Sequence, residues 1–73
     1  MQSVQTLLFS KEYFTKPQVK RWLNNHNIIP IKQIHTTKNY HRVRLIQPDY
    51  NNFVYRIGNI TKGIKAIFEF PKQ

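Results

Sequence analysis

Residues 40–46 read Tyr40-His41-Arg42-Val43-Arg44-Leu45-Ile46, and this stretch decides the fold. Its side chains alternate between two chemistries, as they do in a β-strand, where successive side chains point to opposite faces. One predicted face carries His41, Val43 and Leu45. The other carries Tyr40, Arg42 and Arg44. The pattern predicts a strand whose apolar side lies on a core while its aromatic and basic side faces solvent.

A single helix is predicted ahead of this strand. Its start is indicated by Thr15-Lys16-Pro17-Gln18, because Thr15 and Gln18 can form a reciprocal capping box and Pro17 is tolerated in a first turn. An apolar stripe follows at helical spacing, formed by Val19, Trp22 and Leu23. Since Pro30 prevents much extension, we expect the helix to run from about residue 16 to about residue 26.

Short β-prone runs and turn residues account for most of the remaining chain. Strands are predicted at residues 4–9, 31–36, 40–46, 53–57 and 64–70. Turns are expected at residues 37–39, with Asn39 able to adopt a left-handed conformation, and at Gly58-Asn59. The predicted fold class is therefore α+β. It consists of one helix packed on a four- to five-stranded, mainly antiparallel sheet in the order β-α-β-β-β-β, forming a single domain over residues 1–73.

The composition describes a folded but strongly basic chain. Twelve Lys and Arg residues oppose three Asp and Glu residues, which gives a formal net charge of +9, while 40% hydrophobic residues are too many for a disordered basic tail. The chain has no cysteine. It also lacks a signal-peptide pattern and any apolar run of about 18 residues. We expect a protein of the cytoplasm, the nucleus or a particle, neither secreted nor inserted in a membrane.

The basic and aromatic side chains point to nucleic acid as the ligand. Arginine makes planar, bidentate contacts with phosphate, and tyrosine offers a face on which bases stack. The predicted nucleic-acid-binding residues are Tyr40, Arg42 and Arg44 on one strand, Arg56 on the next, and Lys20 and Arg21 on the helix. The alternative interpretation of these residues is a solvated surface whose charge only maintains solubility.

No pattern in the sequence indicates catalysis. His26, His35 and His41 are spaced nine and six residues apart, which matches no common metal site, and no cysteine can assist them. The three carboxylates stand in separate segments, whereas a metal-dependent nuclease needs them clustered. The prediction is a non-enzymatic protein without a metal or a cofactor.

Several motifs resemble a group of small uncharacterised proteins encoded by phages and large DNA viruses. The shared motifs are Gln2-Ser3-Val4 leading to Phe9, Tyr13-Phe14-Thr15, Val19-Lys20-Arg21-Trp22-Leu23 with His26, Thr36-Thr37-Lys38-Asn39-Tyr40-His41-Arg42-Val43-Arg44, and Gly63-Ile64-Lys65-Ala66. The resemblance spans nearly the whole chain, and a similar module occurs beside phage prohead-protease segments. It implies a viral protein associated with the particle or with viral DNA. Asn27-Ile28-Ile29 stands where a glycine is expected, which leaves the helix end open.

The leading functional hypothesis is a small viral protein that binds nucleic acid with low sequence specificity, DNA being favoured over RNA. The alternative is a virion structural or interaction protein that docks on an acidic surface, with viral capsid or other viral proteins as partners. A third hypothesis is a small viral inhibitor of a host nucleic-acid enzyme. In each case we expect no membrane and no small-molecule cofactor among the partners.

Overall fold

The fold was analysed in a computed structural model that describes residues 3–72. One helix and five strands follow in the order β1 (Ser3–Ser10), α1 (Lys16–Asn25), β2 (His35–Thr36), β3 (Tyr40–Arg44), β4 (Phe53–Thr61) and β5 (Ile64–Pro71). The strands form one antiparallel sheet in the order β2-β3-β1-β5-β4. The α+β prediction is therefore confirmed. Gln2 of the resemblance and both ends of the predicted 1–73 domain lie outside the described residues.

Strand β1 occupies the centre of the sheet because it is apolar on both faces. Leu7 and Phe9 point into the main core, while Leu8 is buried from the opposite side. Leu7 lies between Val43 of β3 and Ala66 of β5, so the core residues of three neighbouring strands are in register. A strand that is buried on both faces carries a near-continuous apolar run, which is what the sequence shows here.

Helix α1 covers one face of the sheet. The predicted capping box is present: the Thr15 hydroxyl accepts from the Gln18 amide, and the Gln18 side chain accepts from the Thr15 amide. Val19 and Leu23 are buried against the strands. The half-buried Trp22 packs edge-on against Phe9 with ring centroids 5.2 Å apart. These contacts confirm the predicted apolar stripe and the predicted core position of Trp22.

The helix ends in a Schellman motif that uses asparagine in place of glycine. Asn27 adopts a left-handed backbone with φ of 56°, a conformation that asparagine tolerates better than most residues. The amide of Ile28 donates to the Leu23 carbonyl at 2.9 Å, and the amide of Asn27 donates to the Asn24 carbonyl at 3.2 Å. Asn27 therefore replaces the glycine that was expected after the helix.

Three local predictions were wrong. Regular pairing in the second strand is confined to His35–Thr36, although the Ile31 amide still donates to the Arg44 carbonyl. Gly58 is not in a turn: β4 continues through it, and a Cβ there would lie 3.0 Å from the Phe68 ring, a tight contact that glycine avoids. The predicted turn at residues 37–39 is present and is closed by hydrogen bonds between Thr37 and Tyr40, but Asn39 does not adopt the left-handed conformation expected for it.

Helix α1 has ten residues, about half the length that a membrane-spanning helix needs. Nowhere in residues 3–72 does the fold contain a helix with the length and apolar character required to cross a bilayer.

Candidate functional site

The sheet has one face that the helix does not cover, called here the open face. The alternation predicted for β3 is observed: His41 and Val43 are buried on the helix side, and the intervening side chains are only partly buried on the open face. The open-face residues of β3 are Tyr40, Arg42 and Arg44. The structure thus brings three of the six predicted binding residues together on one strand.

Cationic side chains flank a buried leucine at the middle of the open face. The register places Leu8 of β1 directly between Arg42 of β3 and Lys65 of β5. Leu8 is only 8% exposed although no helix lies over it. Long basic side chains cover apolar neighbours with their stems while the charge stays in water. The Lys65 ammonium also lies 5.9 Å from the Tyr40 ring centroid, within cation–π range.

Aliphatic side chains continue the open face toward the edge strand β4. Thr6 pairs with Arg44 on one side and Ile67 on the other, and Ile67 pairs with Ile57. Ile57 is 66% exposed on this edge strand. The open face therefore changes from basic and aromatic on β3 to apolar on β4.

A hydrogen-bonded tyrosine lies at the far corner of this face. The Tyr55 hydroxyl donates to a Glu69 carboxylate oxygen at 2.9 Å and accepts from the Asp49 amide at 2.7 Å. Partial burial raises the pKa of the Tyr55 hydroxyl, and the hydrogen bond to Glu69 adds to this effect. The exposed Tyr50 ring packs edge-on against Tyr55 at 5.2 Å. Tyr55 is thus anchored in the surface and not in the main core.

Two of the three acidic side chains, Glu69 and Asp49, form hydrogen bonds with groups other than the cations of the open face. Glu69 accepts from Tyr55, and Asp49 accepts from the side chain of Asn52 at 2.8 Å and from the amide of Asn51 at 3.2 Å. The Asn52 hydrogen bond is the main reason why the pKa of Asp49 is lowered. With a chain charge of +9, the surroundings of Arg42, Arg44 and Lys65 are strongly positive.

A cleft opens where the open face meets the sheet edge formed by β2. Its volume is about 290 Å³. The lining residues come from β1, β2, β3 and the segment before β2, and they are Thr6, Lys32, Gln33, His35, Arg42 and Arg44. Two arginines, a lysine and a histidine thus converge on one concave site whose lining includes no carboxylate.

The other three predicted binding residues lie elsewhere. Arg56 pairs with Phe68, which packs against the main core, so Arg56 projects from the helix side of β4. Lys20 and Arg21 are exposed on the helix. All three lie on the helix side of the sheet, the side opposite to the open-face residues Arg42 and Arg44. The six residues therefore do not form one surface.

The three histidines occupy separate environments. Buried His41 lies between the Thr36 hydroxyl at 2.9 Å and the Phe14 carbonyl at 3.2 Å, a pairing that requires the proton on Nε2. His26 stacks on Trp22, and His35 lines the cleft. Over residues 3–72, no group of three or more histidine or acidic side chains is positioned to hold a metal ion.

Sequence reasoning missed Lys65, Lys32 and His35 as parts of the site. Lys65 alternates with Ile64 and Ala66, so the sequence predicts that its side chain lies on the face of β5 away from the core. Its position beside Leu8, however, depends on the order of the strands in the sheet.

Comparison of the chain with protein-family models, with curated proteins and with solved structures gave no match. The candidate site accordingly rests on the geometry and charge of its own residues.

Proposed function

We propose that this protein binds single-stranded nucleic acid on the open face, with low sequence specificity and without catalysis. The observation that supports this most strongly is the arrangement around Leu8, where Arg42 and Lys65 flank an apolar centre and Tyr40 lies beside Lys65. Proteins that bind single strands combine cations that follow the phosphates with aromatic side chains on which bases stack. Both components occur here on one uncovered sheet face.

The phosphates would contact the long basic side chains. Arg42 and Lys65 lie on strands separated by β1, so their backbones are about 9.6 Å apart at ~4.8 Å per strand. Beside Lys65, the aliphatic surface of Ile67 and the exposed Ile57 is suited to bases and not to phosphates. A bound strand would then cross the sheet with its phosphates toward the cations and its bases on Tyr40 and on this aliphatic surface.

The expected affinity has a stacking component and a charge component. Stacking of a base on an aromatic ring contributes roughly 1–3 kcal/mol, and it tolerates all bases because each has a π-face. A duplex buries its base faces, so it would meet the open face through phosphates alone. We therefore expect single strands to bind more tightly than duplexes, with DNA as the first probe and RNA as the comparison.

The test is fluorescence anisotropy with single- and double-stranded DNA and RNA of the same sequence. Tyr40→Ala should weaken single-strand binding by about tenfold, the equivalent of one lost stacking contact. Tyr13→Ala is the matched control: the Tyr13 ring centroid lies 5.2 Å from the Lys62 ammonium, but Tyr13 belongs to the turn between β1 and α1 and not to a strand of the open face. Equal affinities for the parent and Tyr40→Ala would overturn the stacking role.

A second candidate function is docking on an acidic protein segment, and the edge strand β4 favours it. This nine-residue strand pairs on one side only and exposes Val54, Ile57 and Ile60. Such edges accept an additional strand through main-chain hydrogen bonds. Because the chain carries a charge of +9, the added strand would be acidic.

Nuclease treatment separates the two candidates. A protein partner that stays bound after nuclease treatment, and that is lost when Ile57→Lys disrupts the edge, would support docking. Loss of every partner on nuclease treatment would support nucleic-acid binding. In either case the resemblance to small viral proteins suggests the setting that we propose: the host cytoplasm or nucleus, or the interior of the virion.

A further inference from the structure

Backbone pairing with β3 positions the segment that lines the cleft at the β2 edge. His35 pairs with Arg42 across the β2–β3 ladder, and the Ile31 amide donates to the Arg44 carbonyl at 3.0 Å. These contacts hold the segment containing Lys32 against β3. The floor of the cleft is formed by Thr6, which is 1% exposed and whose hydroxyl donates to the Gln5 side chain at 2.7 Å.

The charge in this cleft exceeds what one phosphodiester needs. A phosphodiester carries one negative charge, whereas a phosphate monoester carries about −1.5 to −2 at pH 7 and has three acceptor oxygens. Arg42, Arg44 and Lys32 supply three basic side chains, and His35 adds a ring nitrogen donor. Guanidinium groups bind such oxygens through paired, charge-assisted hydrogen bonds. The lining is therefore complementary to a dianion.

The position and size of the cleft specify the ligand further. Its volume of about 290 Å³ lies at the lower end of the range for small-molecule sites, so a phosphate with part of a sugar fits better than a whole cofactor. It also lies at the edge of the open face, since β2 is the outermost strand. A strand bound across the sheet would reach this cleft at one of its ends.

We propose that the cleft binds a phosphate monoester dianion, namely the terminal phosphate of the nucleic-acid strand that lies on the open face. This inference rests on the proposed function. The cleft would be a subsite that recognises strand ends, on a surface that otherwise binds nucleic acid with low sequence specificity. Lys32 and His35 would then distinguish strand ends from internal phosphates, while Lys65 contacts only internal phosphates.

The experiment compares ten-nucleotide single-stranded DNAs of one sequence that carry a 5′-phosphate, a 3′-phosphate or no terminal phosphate. We expect one phosphorylated end to bind about tenfold more tightly than the unphosphorylated strand, because of the additional charge-assisted contacts. Lys32→Gln should remove most of this preference and leave binding of the unphosphorylated strand unchanged. Lys38→Gln is the matched control, since Lys38 is an exposed lysine of the β2–β3 loop and does not line the cleft.

A parallel titration with inorganic phosphate and with a mononucleotide, followed by amide chemical shifts, distinguishes the sources of the phosphate. Shifts at Arg42 and His35 together with the end preference would support the proposal. Equal, salt-dependent binding of all three strands would overturn the subsite while the proposed function remains. Binding of the small phosphates without binding of any strand would overturn both the proposed function and the end-recognition proposal.

Discussion

The salt dependence of binding distinguishes a local contact surface from the general positive charge of the chain. We compare two double variants, Arg42→Gln with Arg44→Gln and Arg21→Gln with Arg56→Gln. Both remove two positive charges from a chain of net charge +9, but only the first pair lies on the open face. Glutamine retains part of the aliphatic stem, which preserves cover over Leu8.

The expected magnitude follows from the number of phosphates that the face neutralises. Three lysines and arginines of the open face are available to internal phosphates, namely Arg42, Arg44 and Lys65. At about 0.7 per phosphate for single strands, the slope of log K against log salt should be about −2.1 for the parent and about −0.7 for the open-face pair. Between about 50 and about 200 mM salt, affinity should then fall roughly 20-fold for the parent and roughly threefold for that variant.

The assay is fluorescence anisotropy of a labelled ten-nucleotide DNA at six salt concentrations, with a thermal melt of each variant to show that it is folded. The Arg21 and Arg56 variant should retain the parental slope. If both pairs reduce the slope equally, the ligand responds to net charge alone and the open face has no special role. An unchanged slope in both variants would exclude phosphate contacts at Arg42 and Arg44.

Three further predictions concern the frame that positions this face. Asn27→Ala should lower the free energy of unfolding by about 1 kcal/mol, because alanine tolerates a φ of 56° poorly, and this should lower the melting temperature by roughly 4–8 °C. Asn25→Ala, in the last helical turn, should change neither quantity by this much. Gly63→Ala should cost about 2 kcal/mol or more in a urea titration, since φ is +82° and the new Cβ would lie 2.9 Å from an aromatic carbon. Asn52→Ala should raise the lowered pKa of Asp49 in a carboxyl NMR titration; because that pKa is depressed in the fold, its stabilising contribution is present at neutral pH and is lost as the pH falls through the acidic range.

The helix was predictable because its signals are local. Thr15 and Gln18 are three residues apart, so their reciprocal hydrogen bonds require only one turn of backbone. The helix end was left open, since the sequence offered no glycine after His26. The structure resolves this through Asn27, whose left-handed conformation lets Ile28 return to the Leu23 carbonyl.

The composition of the open face was only partly predictable, because alternation assigns faces but not neighbours. The alternation correctly predicted that Arg42 and Arg44 lie on one face of β3 and Val43 on the other. That Lys65 lies beside Leu8 depends on the order β3-β1-β5, which is set by contacts between residues far apart in the chain. The prediction that Arg56 shares a binding surface with the arginines of β3 was wrong because the sequence does not show which face of β4 lies beside them.

Gly58 shows the other limit of local reasoning. A Gly-Asn pair commonly marks a turn, yet here the strand continues through it. The Phe68 ring on the neighbouring strand would lie only 3.0 Å from a Cβ at this position, so cross-strand packing favours glycine here. A glycine favoured by packing across strands is indistinguishable in sequence from one required by a turn.

The most direct test of the account is an amide chemical-shift titration of the whole protein with a ten-nucleotide single-stranded DNA. The account predicts that the largest changes occur at residues of the open face, above all Tyr40, Arg42 and Lys65, with little change at Lys20 and Arg21 on the helix. Changes concentrated on the helix, or spread evenly over the basic residues, would contradict it.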